Sequence, residues 1–203
     1  MNIAIIGTGN VGGALATNWS KKGHIINLGV RDVYQFKGME LLKNENTKAL
    51  SIYDAVAQSD VVLISTPPTA IFEIIEQMGD VSGKILIDAT NSVRQFPDPY
   101  KTVYHCIADK TKGEVVKCFN STGFENMLNP VYNGEGIDMF MASDSDTAKK
   151  VASQLALDAG FGTCMDFGKS DKVELLEKLA LSWINLAIMQ GHGRNIAFKV
   201  LRR

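Results

Sequence analysis

The stretch IAIIGTGNVG, residues 3–12 of a 203-residue chain, decides the fold. Its first four residues are apolar, as in a buried strand, and Gly7, Gly9 and Gly12 then form the pattern GxGxxG. Helical spacing of apolar residues follows from Val11 to Lys22. The pattern therefore lies between a strand and a helix, which is the position in which it binds dinucleotides.

Each glycine of the pattern has a separate physical task. Gly7 allows the tight turn, Gly9 lets the backbone approach a pyrophosphate, and Gly12 lets the helix pack closely on the strand. The backbone N–H groups at the start of the helix then face the diphosphate. We predict that the dinucleotide contacts Gly7, Thr8, Gly9, Asn10, Val11 and Gly12. Glycines of an ordinary turn are the alternative.

The end of the second predicted strand reads Gly29-Val30-Arg31-Asp32, and this is where such folds choose their cofactor. An NAD enzyme usually presents an acidic side chain there. Arg31 instead offers a planar guanidinium that suits the 2'-phosphate of NADP. Asp32 would repel that phosphate if it pointed inward. Val30 and Arg31 therefore join the predicted site, which favours NADP(H) and leaves NAD(H) as the alternative.

Strands and helices alternate along the rest of the chain. Apolar runs predict strands at residues 61–64, 85–87, 115–119, 138–142 and 163–166, with residues 24–28 as the second strand. Helical spacing predicts helices at residues 69–78, 98–110, 147–159 and 170–200. The order predicts the α/β class: a doubly wound, mostly parallel Rossmann sheet at residues 1–168, with a short helical C-terminal region at residues 169–203.

Two polar segments follow neighbouring strands of this sheet. Ser65, Thr66 and Pro67 follow one strand, and Thr90 and Asn91 follow the next. Open α/β sheets bind their ligands at the carboxyl ends of their strands. We therefore expect these residues to contact the nicotinamide half of the cofactor, although an ordinary turn would explain each segment as well.

Composition and charge exclude several other classes of protein. The 21 Lys and Arg residues nearly balance the 22 Asp and Glu residues, so there is no overall field to attract nucleic acid or an anionic membrane. No apolar run reaches the length needed to cross a bilayer. The three cysteines are far apart, which fits neither a disulfide framework nor a zinc site. We expect a cytoplasmic protein without bound metal.

A set of short motifs gives the chain a family resemblance. In order they are Gly7 to Gly12, Gly29 to Arg31, Asp88 to Asn91, Lys117 to Asn120 and Gly191 to Arg194. With these motifs the chain resembles the deazaflavin-dependent NADP oxidoreductase family over nearly its full length. It is also similar to the cytosolic oxidoreductase domain of the STEAP metalloreductases.

This resemblance implies a function and a set of roles. Thr8, Gly9, Asn10, Val11 and Arg31 would hold NADP(H), although Val30 stands where the family usually has serine. The nicotinamide ring and the acceptor would lie near Phe119, Asn120 and Ser121. The C-terminal helices would close the acceptor cleft and support a homodimer. The acceptor would be a small molecule, a deazaflavin or a flavin, and the family uses no dedicated acid or base, so we predict no catalytic residue.

Two further functions remain open from the sequence. A pyrroline-carboxylate-reductase-like enzyme would reduce a small imine and would need a proton source, for which His192, between two glycines, is the best candidate. Its longer helical dimerisation domain would not fit in the C-terminal region of this chain. The other alternative is a non-catalytic NADP-binding sensor that acts on a partner protein.

Overall fold

The structure is a computed structural model that describes residues 1–203. Strands and helices alternate along most of the chain. The strands are β1 (Asn2–Ile6), β2 (Ile25–Val30), β3 (Thr47–Ser51), β4 (Val61–Ile64), β5 (Ile85–Asp88), β6 (Glu114–Cys118), β7 (Val131–Tyr132), β8 (Glu135–Gly136), β9 (Asp138–Ala142) and β10 (Thr163–Asp166).

The helices connect these strands or follow them. They are α1 (Asn10–Lys21), α2 (Ile52–Ala57), α3 (Ile71–Met78), α4 (Val103–Lys110), α5 (Phe124–Leu128), α6 (Asp146–Asp158) and α7 (Val173–Ile184). Short 3-10 turns occupy Met39–Lys43, Pro68–Ala70 and Ser170–Lys172, and one π-helical turn at Asn185–Met189 continues α7. None of the helices is both long and apolar enough to span a bilayer.

Eight of the strands form one sheet in the order β10-β9-β6-β5-β4-β1-β2-β3, and β7 pairs with β8 in a small separate ribbon. All neighbours in the main sheet are parallel except β6 and β9. The predicted doubly wound, mostly parallel sheet is therefore confirmed. The carboxyl ends of β2, β1, β4, β5 and β6 follow one another along one edge of the sheet, which is where such folds bind ligands.

Two apolar cores cover the two faces of the sheet. One contains Leu15 and Trp19 of α1 together with Leu155 of α6, and Trp19 donates its ring N–H to the Leu155 carbonyl at 2.8 Å. The other contains residues of α2, α3 and α4 and extends to Leu176 of α7. Because a parallel sheet is buried on both faces, its strands are apolar runs without alternation, as in β4, where all of Val61–Ile64 is buried.

The turn after β1 has no room for side chains. Gly7 adopts φ of 101°, in the left-handed region, and a Cβ there would lie 2.7 Å from the Ser65 backbone. A Cβ on Gly12 would lie 2.0 Å from the Gly7 carbonyl oxygen. The first turn of α1 therefore packs directly on the backbone of the strand that precedes it, as predicted for this pattern.

The predicted helix at residues 98–110 begins later than expected. In the structure α4 starts at Val103, and Thr102 caps it by accepting the His105 N–H at 3.3 Å. Asp98 precedes Pro99, and a residue before proline is driven away from the helical region of backbone space. Tyr100 therefore fits the apolar spacing of α4 but lies before the helix begins.

The C-terminal region is helical for only part of its predicted length. Regular helix ends at Met189, and residues 191–203 have no regular secondary structure. Gly191 and Gly193 adopt φ of 74° and 82°, which a helix does not contain. The rest of the chain runs as an irregular segment, and its Ile196 carbonyl accepts hydrogen bonds from Trp183 Nε1 and Asn126 Nδ2, both at 2.7 Å.

Phe119 lies outside the strand in which it was predicted, and five elements were missed. β6 ends at Cys118, and Phe119 has φ of 64°, so the chain turns sharply there. The missed elements are β3 and α2, which lie between β2 and β4, and α5, β7 and β8, which lie between β6 and β9. β3 is short and only partly buried, which explains why its residues show no apolar run.

We predict that Gly12→Ala destabilises the fold, while Gly9→Ala serves as a matched control. The new methyl group at position 12 would overlap the Gly7 carbonyl, whereas a Cβ on Gly9 has no heavy atom within 4 Å. Urea denaturation should show a loss of at least about 2 kcal/mol for Gly12→Ala and less than about 1 kcal/mol for Gly9→Ala. Equal stabilities for the two variants would contradict this account of the turn.

Candidate dinucleotide-binding site

A cavity of about 880 Å³ lies at the carboxyl ends of β1, β2 and β4. It is open on one side and runs from the glycine-rich turn to the loop after β2. Eight predicted site residues line it: Gly7, Thr8, Gly9, Val30, Arg31, Ser65, Thr66 and Pro67. Its other walls come from residues that the sequence analysis did not name, among them Phe36, Lys37, Ile52 and Glu73.

The N-terminus of α1 points its free backbone groups toward this cavity. Gly9 is the N-cap, no side chain accepts a hydrogen bond from the first turn, and the turn contains no acidic residue. The first N–H groups of a helix have no partner within the helix and carry a partial positive charge. Since nothing lies within 4 Å of a Cβ position on Gly9, an anion can approach the backbone there.

Two cations stand at the other end of the cavity. Arg31 and Lys37 both line it, and neither forms an ion pair within the chain. Asp32 also lines the cavity, but its Oδ1 accepts the Tyr34 backbone N–H at 2.9 Å. That hydrogen bond uses one oxygen of the carboxylate in the local turn. Glu73 is the second carboxylate that lines the cavity, and its Oε1 accepts a hydrogen bond from Gln77 Nε2 at 2.9 Å. The two cations therefore face two carboxylates, each of which has one oxygen engaged within the chain.

The loop that carries Lys37 is fixed to the glycine-rich turn. The Thr8 hydroxyl donates a short hydrogen bond to the Lys37 carbonyl. Gly38 adopts φ of 94°, and a Cβ there would lie 2.5 Å from the Thr8 carbonyl oxygen. Lys37 is therefore part of the site through backbone contacts, and the sequence signal for it is weak: one lysine in a polar loop, followed by a glycine.

Buried polar atoms without a hydrogen-bond partner follow the carboxyl ends of three neighbouring strands, β4, β5 and β6. Thr66 Oγ1 after β4, Asn91 Oδ1 after β5, and both side-chain polar atoms of Asn120 after β6 are buried without a hydrogen-bond partner. Buried polar groups in folded proteins are nearly always hydrogen-bonded, so such a group needs an explanation. Four atoms on three neighbouring strand ends have the donors and acceptors to bind a polar ligand.

The remaining predicted residues lie outside the cavity. The Thr90 hydroxyl and backbone N–H both donate hydrogen bonds to Asp88 Oδ1, at 2.7 and 2.9 Å. Ser121 Oγ contacts the Met139 sulfur at 3.5 Å, and the Phe119 ring packs edge-to-face on Trp19 at 5.6 Å. Asn10, Val11 and Gly12 belong to the first turn of α1 and do not line the cavity by their side chains. The Thr90 backbone is engaged as well, because its carbonyl accepts a hydrogen bond from Lys117 Nζ at 2.6 Å.

A buried ion cluster lies beneath the same edge, and the sequence analysis missed it. The fully buried Lys117 Nζ lies 3.0 Å from Asp88 Oδ2, 2.7 Å from Glu177 Oε1 and 2.6 Å from the Thr90 carbonyl oxygen. Glu177 belongs to α7, and its other oxygen accepts the Ser92 N–H at 3.0 Å. The cluster thus connects the C-terminal helix to β5 and β6. A lysine within an apolar strand was the signal for it.

The charges of this cluster depend on one another. Burial alone would lower the pKa of Lys117, but the carboxylates of Asp88 and Glu177 outweigh that effect and raise the pKa above its usual value. Burial raises the pKa of Glu177, and the ammonium of Lys117 only partly opposes this. Lys117 therefore stays charged, with hydrogen bonds to Asp88 Oδ2 and the Thr90 carbonyl and an ion pair with Glu177.

The histidines have other environments. His24 Nε2 lies 2.8 Å from Asp158 Oδ2, and His105 Nδ1 lies 2.7 Å from the Thr102 hydroxyl in α4. His192, the candidate proton source, is exposed in the irregular segment between Gly191 and Gly193. No side chain of the chain is within hydrogen-bonding distance of its ring.

Comparison with known proteins agrees with the resemblance inferred from the sequence. Residues 2–92 match the family model "NADP oxidoreductase coenzyme F420-dependent". The F420-dependent NADP reductase of Methanothermobacter thermautotrophicus is 26% identical over 221 residues, which cover 98% of this chain and 94% of that protein. The similarity to F420-dependent NADP reductases is therefore confirmed over nearly the whole chain.

Two other comparisons concern part of the chain or the fold alone. A glycerol-3-phosphate dehydrogenase [NAD(P)+] of Thermoanaerobacter sp. (strain X514) is 30% identical over 100 residues, which are 43% of this chain and 30% of that enzyme. The chain thus spans less than a third of that relative. A candidate F420-dependent NADP reductase from Arthrobacter sp. fb24 has the same fold, with a TM-score of 0.87 and 23% identity over 100% of both chains.

Removing Lys117 should damage the protein far more than removing the charge of Glu177. In Lys117→Met two buried carboxylates lose their cation, and we expect urea denaturation to show a loss of about 3–5 kcal/mol. Glu177→Gln keeps the acceptor for the Ser92 N–H and leaves Lys117 paired with Asp88, so its loss should stay below about 2 kcal/mol. If Lys117→Met were the milder change, the cluster would not hold α7 on the sheet as described.

Proposed function

We propose, from its similarity to the F420-dependent NADP reductases, that this protein is an NADP(H)-dependent oxidoreductase that transfers hydride between nicotinamide and a deazaflavin or flavin. The observation that carries the proposal is the cavity of about 880 Å³, which connects the uncapped N-terminus of α1 to Arg31 and Lys37. A dinucleotide with one additional phosphate has anionic groups for both ends of such a cavity. The fold, the cavity and the family similarity therefore agree.

The diphosphate would lie against the glycine-rich turn. Thr8 and Gly9 line the cavity, and the first N–H groups of α1, from Asn10, Val11 and Gly12, have no other partner. Backbone N–H groups at a helix N-terminus bind phosphate through hydrogen bonds and through the positive end of the helix dipole. Gly7 and Gly12 act indirectly, because they let the helix begin this close to β1.

Arg31 and Lys37 would bind the 2'-phosphate of NADP(H). The guanidinium can bind two phosphate oxygens at once, and Lys37 adds a second positive charge. Asp32 is the residue that could favour NAD(H), but one of its oxygens is held by the Tyr34 N–H. Val30 lines the cavity without a hydroxyl, so selectivity for the phosphate depends on these two cations.

The nicotinamide would lie past Ser65, Thr66 and Pro67, toward the ends of β5 and β6. Its carboxamide and ribose hydroxyls have donors and acceptors for the unpartnered atoms of Thr66, Asn91 and Asn120. Phe119 and Ser121 would shape this end by their backbones, and Thr90 would do so indirectly, because its backbone is hydrogen-bonded to Asp88 and Lys117. Ordered contacts of this kind hold a ring at the angle that a transfer reaction requires.

Bound NADPH would supply a hydride from the nicotinamide ring to an acceptor ring stacked against it. The protein's part is to hold both rings in contact and to exclude water, and this requires no side chain that exchanges a proton. The groups that line the cavity suit that task, since they bind and orient phosphate, ribose and amide. Lys117, which lies nearby, is fully buried and is paired with Asp88 and Glu177 within the chain.

We further infer a cytoplasmic homodimer. All three cysteines are free thiols, as expected in a reducing compartment. Exposed apolar side chains lie along α7 and the π-helical turn, namely Leu175, Leu186, Ile188 and Met189. Three of them, Leu186, Ile188 and Met189, lie within one short segment, and clustered apolar residues at the surface are typical of an interface. The segment from residue 169 onward would then serve as a helical C-terminal region for dimer contacts and for closure over the acceptor.

Arg31→Ala and Lys37→Ala should each weaken the binding of NADPH more than the binding of NADH. A charge-assisted hydrogen bond contributes about 1.5–3 kcal/mol, so we expect KM for NADPH to rise about 10- to 100-fold while KM for NADH changes little. Lys43→Ala is the matched control, because Lys43 is a nearby lysine outside the cavity. Steady-state kinetics with both cofactors measure the effect. An unchanged ratio of the two KM values in Arg31→Ala would refute the proposed phosphate site.

The acceptor can be identified by following NADPH absorbance with one candidate at a time. We expect oxidation of NADPH when a deazaflavin, FMN or FAD is offered, with the deazaflavin giving the largest kcat/KM. Saturable NADPH binding without oxidation by any of the three would favour the non-catalytic sensor. Oxidation by a cyclic imine alone would favour the imine reductase.

A further inference from the structure

A second cavity lies on the far side of the segment that follows β5. It has a volume of about 460 Å³ and is bounded by residues 92–102 and by the first turns of α7. It shares no lining residue with the dinucleotide cavity. Neither the sequence motifs nor the proposed hydride transfer uses it.

The carboxylate of Glu177 forms the polar base of this cavity. Glu177 is 5% exposed and lines the cavity, so the part of it that is not covered by protein faces the open space. Its Oε2 accepts the Ser92 N–H at 3.0 Å, whereas its Oε1 is 2.7 Å from Lys117 Nζ as an ion pair but has no hydrogen-bond partner. A carboxylate can accept about four hydrogen bonds, so acceptor capacity remains for a ligand.

The charges around the cavity favour a cation. Beneath it, Asp88 and Glu177 face the single ammonium of Lys117, which leaves one buried negative charge in excess. At the rim, Lys101 lies 3.6 Å from Glu174 and so compensates that carboxylate. Asp98 and Lys178 also line the cavity and are opposite in charge, so the lining as a whole keeps the one negative charge in excess. A buried charge without a counter-charge is costly, and a cationic ligand would relieve that cost. The raised pKa of Glu177 has the same origin in burial.

The walls of the cavity are apolar and aromatic, which suits the hydrocarbon part of an organic ligand. Val93, Pro99, Tyr100 and Leu181 line it, and Phe96 stands at its mouth with half of its surface exposed. Aromatic faces attract organic cations through their quadrupole as well as by apolar contact. A hydrated metal ion would gain nothing from these walls, and nowhere in the chain do three metal-ligating side chains converge.

We propose that this cavity binds a small organic ammonium ion, a protonated primary or secondary amine whose N–H donates to Glu177 and whose apolar body packs on Tyr100 and Leu181. The site is separate from the dinucleotide cavity and does not depend on the identity of the hydride acceptor. Because Glu177 also forms an ion pair with Lys117, an amine bound to Glu177 is separated from the buried ion cluster by that one residue.

Isothermal titration calorimetry of the full-length protein with benzylammonium chloride tests the proposal. Benzyl alcohol is the neutral probe of the same shape, and benzoate is the anionic one. We expect benzylammonium to bind at least about tenfold more tightly than benzyl alcohol, because it forms a charge-assisted hydrogen bond. Benzoate should not bind detectably.

Variants assign the binding to this cavity. Glu177→Gln should lose at least about tenfold in benzylammonium affinity, whereas Glu174→Gln, a rim carboxylate on the same helix, should change it less than about threefold. Leu181→Trp should block the mouth of the cavity and abolish benzylammonium binding without altering the ion cluster. This variant tests the proposal even if Glu177→Gln folds poorly. Equal affinities for the ammonium and the alcohol, or unchanged ammonium affinity in Leu181→Trp, would overturn the proposal. NADPH titrated in parallel tests the dinucleotide site separately.

Discussion

The contact between the first turn of α1 and the backbone of Gly7 is the constraint on which the rest of the site depends. Because Gly12 has no side chain, the helix starts close to the end of β1 and directs its free N–H groups over the edge of the sheet. No side chain caps these groups, so their partial charge remains available. The loop that carries Lys37 is fixed to the same turn through Thr8. One close backbone approach thus positions both the proposed diphosphate site and one of the two cations for the 2'-phosphate.

The buried cluster of Lys117, Asp88 and Glu177 organises the other half of the molecule. It fixes the ends of β5 and β6 to α7, so the C-terminal region is joined to the sheet by a charged contact as well as by the apolar packing of Leu176. Buried ion pairs contribute little net stability compared with apolar residues, but they are specific in geometry. The cluster therefore determines how α7 is oriented above the residues that would meet the nicotinamide.

Most of the sheet could be predicted because parallel strands buried on both faces are continuous apolar runs, as in β4 and β9. The glycine pattern could also be interpreted from the sequence, since its assignment to a dinucleotide-binding turn requires only a strand just before it and a helix just after it. The limits of elements were less predictable. Apolar spacing continued through Tyr100 although α4 begins only after its N-cap Thr102, and the tail after Met189 contains apolar residues from Ile196 to Leu201 without being helical. Of the predicted site residues, those on the glycine turn and after β2 and β4 line one cavity. Lys37, Lys117 and Glu177 were missed because their roles arise from contacts between segments distant in sequence.

The central claim is that a nicotinamide dinucleotide rests its diphosphate on the start of α1 with its 2'-phosphate at Arg31. Calorimetric titration of the purified protein with NADPH, and in parallel with NADH, tests this claim most directly. The account predicts saturable association with NADPH at one site per chain and weaker association with NADH. The absence of heat from both cofactors at millimolar concentration, with the protein shown to be folded, would contradict it.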